Sequence, residues 1–303
     1  MSDHIAHLAI CDDVFRLAAF HPALPATFID LMDSERDICH MGCVTRSADK
    51  WSAELIVAAS DVLERSTATD PNAARKLSFV LGALTHRSAD RHMKPITRCW
   101  KDPAIANESK IYQDLFAFRE VYHGGTTAAA APFHWIQLLN PTSDADEQFE
   151  SYYRVLLRRA LIAMHTLNPD KGNIDNWLDR FFDGLQTFPK SLRQYASINA
   201  EWDPAKVKRY LHDKHFYDRD DALIQLARGI QHNTHSPSAD ELHAAVTATS
   251  DASSRWARTL KVALDYLTAA AELFTGTIDL NTAKARLDIG VPELALGDHR
   301  ATN

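Results

Sequence analysis

A histidine and an aspartate, His86 and Asp90, stand four residues apart in the chain. On an α-helix this spacing places both side chains on one face in successive turns, where they can hold one cation between them. The rest of that face is formed by Phe79, Ala83 and Met93, and an ionised carboxylate in such apolar surroundings is costly without a partner. A metal ion would be that partner. A His–Asp hydrogen bond that only satisfies two half-buried groups fits the same spacing, so both interpretations stay open.

The element that carries this pair is predicted to be a helix. Apolar residues recur at i, i+3, i+4 and i+7 in Leu77, Val80, Leu81 and Leu84. A helix that is apolar or small on most sides is typical of the interior of a bundle. We predict that it runs from Ala73 to His92, that Asp70-Pro71 starts it in the manner of a cap, and that Pro95 ends it. Gly82, one turn before His86, would let a neighbouring helix approach closely.

The same patterns predict helices along most of the chain. Further helices are expected at 51–65, 108–122, 147–167, 174–187, 204–215, 219–232, 238–249 and 254–275. Only 10 glycines and 12 prolines occur in 303 residues, which argues against a β-rich domain with its many glycine-bearing turns. We therefore predict an all-α, multi-helix bundle. A soft boundary near 145 separates a helical domain with the metal site, 1–145, from a helical extension, 146–303, and the two halves could also pack as one body.

Composition excludes several classes of protein. The chain is 46% hydrophobic and 24% charged, which is typical of a globular protein, and it contains no apolar run of about 18 residues that could span a membrane. The net charge of −7 gives no overall attraction to nucleic acid. The four cysteines do not form a disulfide framework, so reduced thiols and a cytoplasmic location are expected, unless a signal peptide was removed before Met1. The glycine-rich nucleotide motifs and the G-x-S-x-G motif are missing.

The segment from Leu81 to Asp90, LGALTHRSAD, resembles the central helix motif of the zinc-dependent phospholipase C and S1/P1 nuclease superfamily, an all-helical group of metal-dependent phosphoesterases. The resemblance covers about residues 1–125. It implies that His86 and Asp90 bind metal. It also implies four further ligands, namely His7 (or His4) near the N-terminus, Asp49 after a small-residue turn, and Glu120 and His123 in the next helix. The family has a further histidine ligand before the central motif; no histidine lies between Asp49 and His86 here, so this ligand is missing unless His40 or His21 replaces it.

If the resemblance holds, the cofactor is zinc, as two or three ions. Imidazole and carboxylate ligands suit this metal, and a metal-activated water would attack a phosphodiester or phosphomonoester. Asp49 is the candidate for an additional ligand or general base. Arg87, Arg91 or Lys94 could meet the substrate phosphate. The expected substrate is a small molecule or a lipid, since the net charge argues mildly against nucleic acid.

Two other functions remain open at this stage. The dipeptide His212-Asp213, with His165 upstream and Asp265 downstream, resembles the site of an HD-type phosphohydrolase, which is also all-helical and metal-dependent. The alanine-rich helices at 238–275 would serve equally in a non-enzymatic interaction protein or a homo-oligomer. The discriminating feature is the polar constellation around His86, which a binding module has no reason to collect.

Overall fold

The computed structural model describes residues 4–45, 51–123, 151–158, 174–186 and 202–289. Within these ranges the protein is all-α and contains no strand, which confirms the predicted fold class. None of the described helices is long and apolar enough to cross a membrane. The predicted boundary near 145 and most of the predicted helix 147–167 lie outside the described residues.

Twelve α-helices are defined in the described part of the chain. They are α1 (His4–Ala18), α2 (Ala26–Ser34), α3 (Arg36–Cys43), α4 (Ser52–Leu63), α5 (Ala73–Arg98), α6 (Pro103–Glu120), α7 (Ile174–Gln186), α8 (Pro204–Tyr210), α9 (Ala222–Gln231), α10 (Ala239–Ala248), α11 (Arg255–Thr275) and α12 (Leu280–Arg286). A 3₁₀ turn spans His212–Lys214, and residues 151–158 are also helical.

Helix α1 lies at the centre of the bundle. Thirteen of its 15 residues are buried, and it packs against α3, α5, α6, α9 and α11. A helix enclosed on every side must be apolar on every side, and α1 meets this condition except at His7, Asp12 and Asp13. These three polar side chains are therefore buried by the position of the helix, and each needs partners from its neighbours.

Helices α3 and α5 cross with their backbones almost in contact. A Cβ atom added to Gly82 would lie 1.8 Å from the carbonyl oxygen of Cys39, and one added to Gly42 would lie 2.0 Å from that of Phe79. The close approach predicted at Gly82 is confirmed. Glycine is required at both positions because no side-chain atom fits between the two backbones.

The predicted start of α5 at Ala73 is confirmed, but its predicted C-terminal end and its predicted cap are wrong. The helix continues through Pro95 to Arg98, since proline removes only one backbone hydrogen bond and the next turn is anchored by buried Ile96. At the other end the cap residue is Asn72, whose side chain makes no capping bond. Asp70 instead accepts a hydrogen bond from the Asn72 N–H at 2.9 Å and forms an ion pair with Lys76.

Two other predicted helices differ in extent. The helix predicted at 108–122 begins earlier, at Pro103, because Asp102 caps it by accepting from the Ala104 N–H at 2.8 Å. The helix predicted at 204–215 ends at Tyr210 and is followed by the 3₁₀ turn, after which His215 has a φ of 49°. A non-glycine residue in this left-handed region ends a helix rather than continuing it.

Candidate metal centre

Helices α1 and α5 bring three metal-ligating side chains together. His7 comes from α1, and His86 and Asp90 come from α5. One ligand atom from each residue lies within 4.8 Å of the other two, and all three residues are buried. Asp90 Oδ2 is 3.1 Å from His86 Nε2, and Asp90 Oδ1 is 3.5 Å from His7 Nε2. The two imidazole rings are stacked with their centroids 4.6 Å apart.

The orientation of His86 is set by the crossing of α3 and α5. Its Nδ1 lies 2.8 Å from the carbonyl oxygen of Cys43, at the C-terminal end of α3. Since a carbonyl oxygen can only accept, Nδ1 carries the hydrogen, and in the neutral ring Nε2 then presents its lone pair to Asp90. Burial lowers the pKa of His86 below its ordinary value, which favours the neutral ring. A backbone carbonyl on the second ring nitrogen is the usual support of a metal-binding histidine.

Asp90 is an ionised carboxylate with one oxygen that lacks a donor. Burial by itself would raise the pKa of Asp90, but the positive charge that His86 carries when protonated and that of the Lys94 ammonium hold it well below its usual range. The Lys94 ammonium and His86 face Oδ2, whereas Oδ1 accepts no hydrogen bond from the described residues. A buried acceptor without a donor is costly. A cation between the three side chains would satisfy it.

The ligand set fits a divalent metal of the zinc type. Two imidazole nitrogens and one carboxylate oxygen are donors that zinc takes in proteins, and three protein ligands leave a fourth position for water. Structural zinc sites use four protein ligands, whereas sites with three are typical of catalysis. The arrangement can therefore hold an ion with an exchangeable position.

Of the other ligands that the resemblance implies, the two that are described, Glu120 and His123, do not join this group. Asp49 lies outside the described residues, in the range 46–50. Arg219 holds the carboxylate of Glu120 through Nη2, at 2.7 and 2.6 Å from its two oxygens. The ring of His123 lies 5.2 Å from that of His232. Among the described residues, the ligand cluster contains only three of the six predicted positions.

Two of the three cations predicted to meet substrate are bound elsewhere. Arg87 Nε donates to the carbonyl oxygen of Leu287 at 2.7 Å, and Arg91 forms an ion pair with Asp288. Both arginines thus fasten the segment after α12 to α5. Lys94 is the one that contacts the metal-ligating cluster, through Asp90.

Sequence reasoning missed a second buried polar group on α1, formed by Asp12, His40 and Tyr122. Asp12 Oδ1 is 2.8 Å from His40 Nε2, and Oδ2 accepts from the Tyr122 hydroxyl at 2.8 Å. Burial would raise the pKa of Asp12, but His40 lowers it. Burial would lower the pKa of His40, but Asp12 raises it. His40 thus pairs with Asp12, and it is not part of the described cluster of His7, His86 and Asp90. The signal in the sequence was the pair of aspartates inside an otherwise apolar helix.

The dipeptide of the HD-type alternative lies on the surface. His212 and Asp213 are exposed on the 3₁₀ turn, and Asp213 is 3.3 Å from the Lys208 ammonium. Asp265 is exposed on α11, and His165 lies outside the described residues. The three described positions, His212, Asp213 and Asp265, form no shared metal-ligating cluster.

Comparison of the chain with protein-family models, with curated proteins and with solved structures finds no match. The resemblance to the phospholipase C and S1/P1 nuclease superfamily stays a prediction from the sequence motif.

Proposed function

We propose that this protein is a metal-dependent phosphoester hydrolase whose zinc ion binds between His7, His86 and Asp90. The observation that carries the proposal is the convergence of three buried ligand atoms within 4.8 Å, around a carboxylate oxygen that no described donor satisfies. A purely structural His–Asp hydrogen bond would leave no reason for a third ligand from another helix.

The protein's own residues would prepare the site. Cys43 holds the tautomer of His86, and Asp90 remains ionised at neutral pH. The near-complete burial of all three ligands (2%, 7% and 7% exposed) lowers the local dielectric and strengthens each electrostatic contact. A bound zinc ion supplies a water of lowered pKa for hydrolysis.

The class of substrate rests on the resemblance, which implies a phosphodiester or phosphomonoester. The net charge of −7 favours a lipid or small-molecule ester over nucleic acid. The resemblance also implies Asp49 as a further ligand or base and a second or third ion.

Metal content and hydrolysis test the proposal together. The protein is purified without chelator, its metal is measured by elemental analysis, and turnover of bis(4-nitrophenyl) phosphate and 4-nitrophenyl phosphate is recorded. We expect about one equivalent of zinc or more and measurable turnover in the wild type. His86→Ala and Asp90→Asn should lose both.

His212→Ala and Asp213→Asn are matched controls, because they remove the same side-chain types from an exposed site. They should keep metal and activity. Loss of activity in these two variants with retention in His86→Ala would instead support the HD-type alternative. A folded wild type that cannot be loaded with zinc would overturn the proposal and favour the interaction protein.

A further inference from the structure

A cleft of about 550 Å³ lies between the C-terminal end of α6 and helix α9. Its lining includes five basic side chains, which define the basic cleft: Arg119, His123, Arg219, Arg228 and His232. A neighbouring cleft of about 440 Å³ shares Arg119, Glu120, Tyr217 and Arg219 with it. Glu120 and His123, which the resemblance assigns to the metal site, are located here.

The charge of the basic cleft is opposite to that of the whole chain. Three guanidinium groups line it, of which Arg219 binds Glu120 through both carboxylate oxygens and Arg228 binds the buried Asp13, whereas the protein as a whole carries −7. Burial together with the neighbouring charges of His123 and Arg228 also lowers the pKa of His232. The lining therefore produces a local positive potential.

Arg119 has hydrogen-bond donors available for a ligand, and Arg228 has one buried donor without an acceptor among the described residues. The guanidinium of Arg119 lies 4.8 Å from the centre of the Trp202 ring, and no carboxylate in the described part of the chain forms an ion pair with it. The stacking fixes the plane of the guanidinium while leaving its edge open. Arg228 binds Asp13 and Gln231, but its buried Nε has no acceptor among the described residues.

We propose that the basic cleft binds an oxyanion of the phosphate class, either inorganic phosphate or the phosphate group of a small phosphomonoester. Guanidinium groups match the paired oxygens of phosphate with two parallel hydrogen bonds, and donors from α6, α9 and the segment before α9 suit a tetrahedral anion with oxygens in several directions. The proposal is independent of the metal-dependent activity, since none of the five cleft residues belongs to the described metal-ligating cluster.

Isothermal titration calorimetry of the metal-free, full-length protein at low salt tests this inference, with inorganic phosphate and glycerol 3-phosphate as probes. We expect saturable binding that Arg119→Gln weakens about tenfold or more, because charge-assisted hydrogen bonds are lost. Tighter binding of glycerol 3-phosphate would identify a phosphomonoester as the ligand, and tighter binding of inorganic phosphate would identify the free ion.

Two control variants make the test specific. Arg180→Gln removes the same charge from an exposed position on α7 that does not line the cleft, and it should bind as the wild type does. Asp90→Asn should also leave binding unchanged, which separates the basic cleft from the metal centre. Absence of saturable binding, or equal weakening in Arg119→Gln and Arg180→Gln, would overturn the proposal. His232→Asn provides a second substitution in the cleft.

Discussion

Two buried histidine–aspartate groups each include a residue of α1 but differ in how completely the carboxylate is hydrogen-bonded. Asp12 on α1 has a donor on each oxygen, His40 at 2.8 Å and Tyr122 at 2.8 Å. Asp90 on α5 has His86 and Lys94 on one oxygen, while the other lies 3.5 Å from His7 and accepts no bond from the described residues. Both aspartates are less than a tenth exposed.

The pKa values of the histidines in the two groups are shifted in opposite directions. The pKa of His40 is raised by Asp12 despite burial, whereas burial lowers that of His86. His40 contacts Asp12 through Nε2. His86 instead donates through Nδ1 to the Cys43 carbonyl, and its Nε2 faces Asp90 and His7. Burial of a His–Asp pair therefore does not distinguish an ion pair from a metal site. The two groups are distinguished by whether both carboxylate oxygens accept a hydrogen bond and by the direction in which the pKa of the histidine is shifted.

The largest expected effect on the free energy of unfolding comes from Asp12, whose carboxylate has a donor on each oxygen. Asp12→Ala leaves buried His40 and Tyr122 without their acceptor, so the free energy of unfolding should fall by about 3–5 kcal/mol. Urea denaturation followed by far-UV circular dichroism measures this. Asp61→Ala, which removes an exposed ion pair with Arg65, should change it by no more than about 0.5 kcal/mol. A loss as small as this in Asp12→Ala would mean that the pair is not structural.

The cluster of His7, His86 and Asp90, in which one carboxylate oxygen has no donor among the described residues, should instead be stabilised by metal. With free zinc at a hundred times its dissociation constant, the wild type should gain about 2.7 kcal/mol of stability over the chelated protein. Asp90→Asn should gain none, and Asp213→Asn should gain as much as the wild type. The shift is measured by urea denaturation with and without zinc. A full gain in Asp90→Asn would show that the ion binds elsewhere.

A substitution at the crossing of α3 and α5 should lower both the free energy of unfolding and the affinity for zinc. Gly82→Ala places a Cβ against the Cys39 carbonyl, so the helices must separate, at a cost of about 1–3 kcal/mol. Because the Cys43 carbonyl then moves away from His86, zinc affinity should fall about 10- to 100-fold. Competition with a fluorescent zinc indicator measures the affinity, and Gly42→Ala at the same crossing should behave alike. Unchanged affinity in both would refute the role of Cys43.

The smallest effects are those of pH on the free energy of unfolding. They should have opposite signs for His40 and for His86. His40 has a raised pKa, so its contribution is complete below the unfolded value of 6.5 and is lost as the pH rises through the folded value. His86 has a lowered pKa, so its contribution is present above 6.5 and is lost as the pH falls. Each slope is at most about 1.4 kcal/mol per pH unit. His40→Gln should abolish the loss on the alkaline side in denaturation curves of the metal-free protein, and persistence of that loss would assign it to another group.

Local sequence patterns predicted those features of the structure that depend on residues close together in the chain. The fold class, the shared face of His86 and Asp90, and the close approach at Gly82 all follow from helical spacing and from residue size. Helix α1 was not predicted, because a helix enclosed on all sides has no polar face to give a period.

What the sequence could not supply was the rotation of each helix within the bundle. Glu120 and His123 follow Asp114, whose carboxylate accepts from the Ala6 N–H on α1 at 2.9 Å, yet they line a different cleft. The pairing of Asp12 with His40 likewise depends on how two helices meet, and no spacing along the chain records it. Such contacts are decided by tertiary packing.

The central position of α1 also has a consequence for the order of folding. Asp13 is held by Arg228 and by the indole N–H of Trp256, which lie 215 and 243 residues further along the chain. At ribosomal speeds of about 5–20 residues per second, these partners emerge on the order of ten to fifty seconds after Asp13. Until then Asp13 has only Arg16 of its own helix as a partner, so the nascent chain cannot complete the buried polar contacts of α1 before its C-terminal half has emerged.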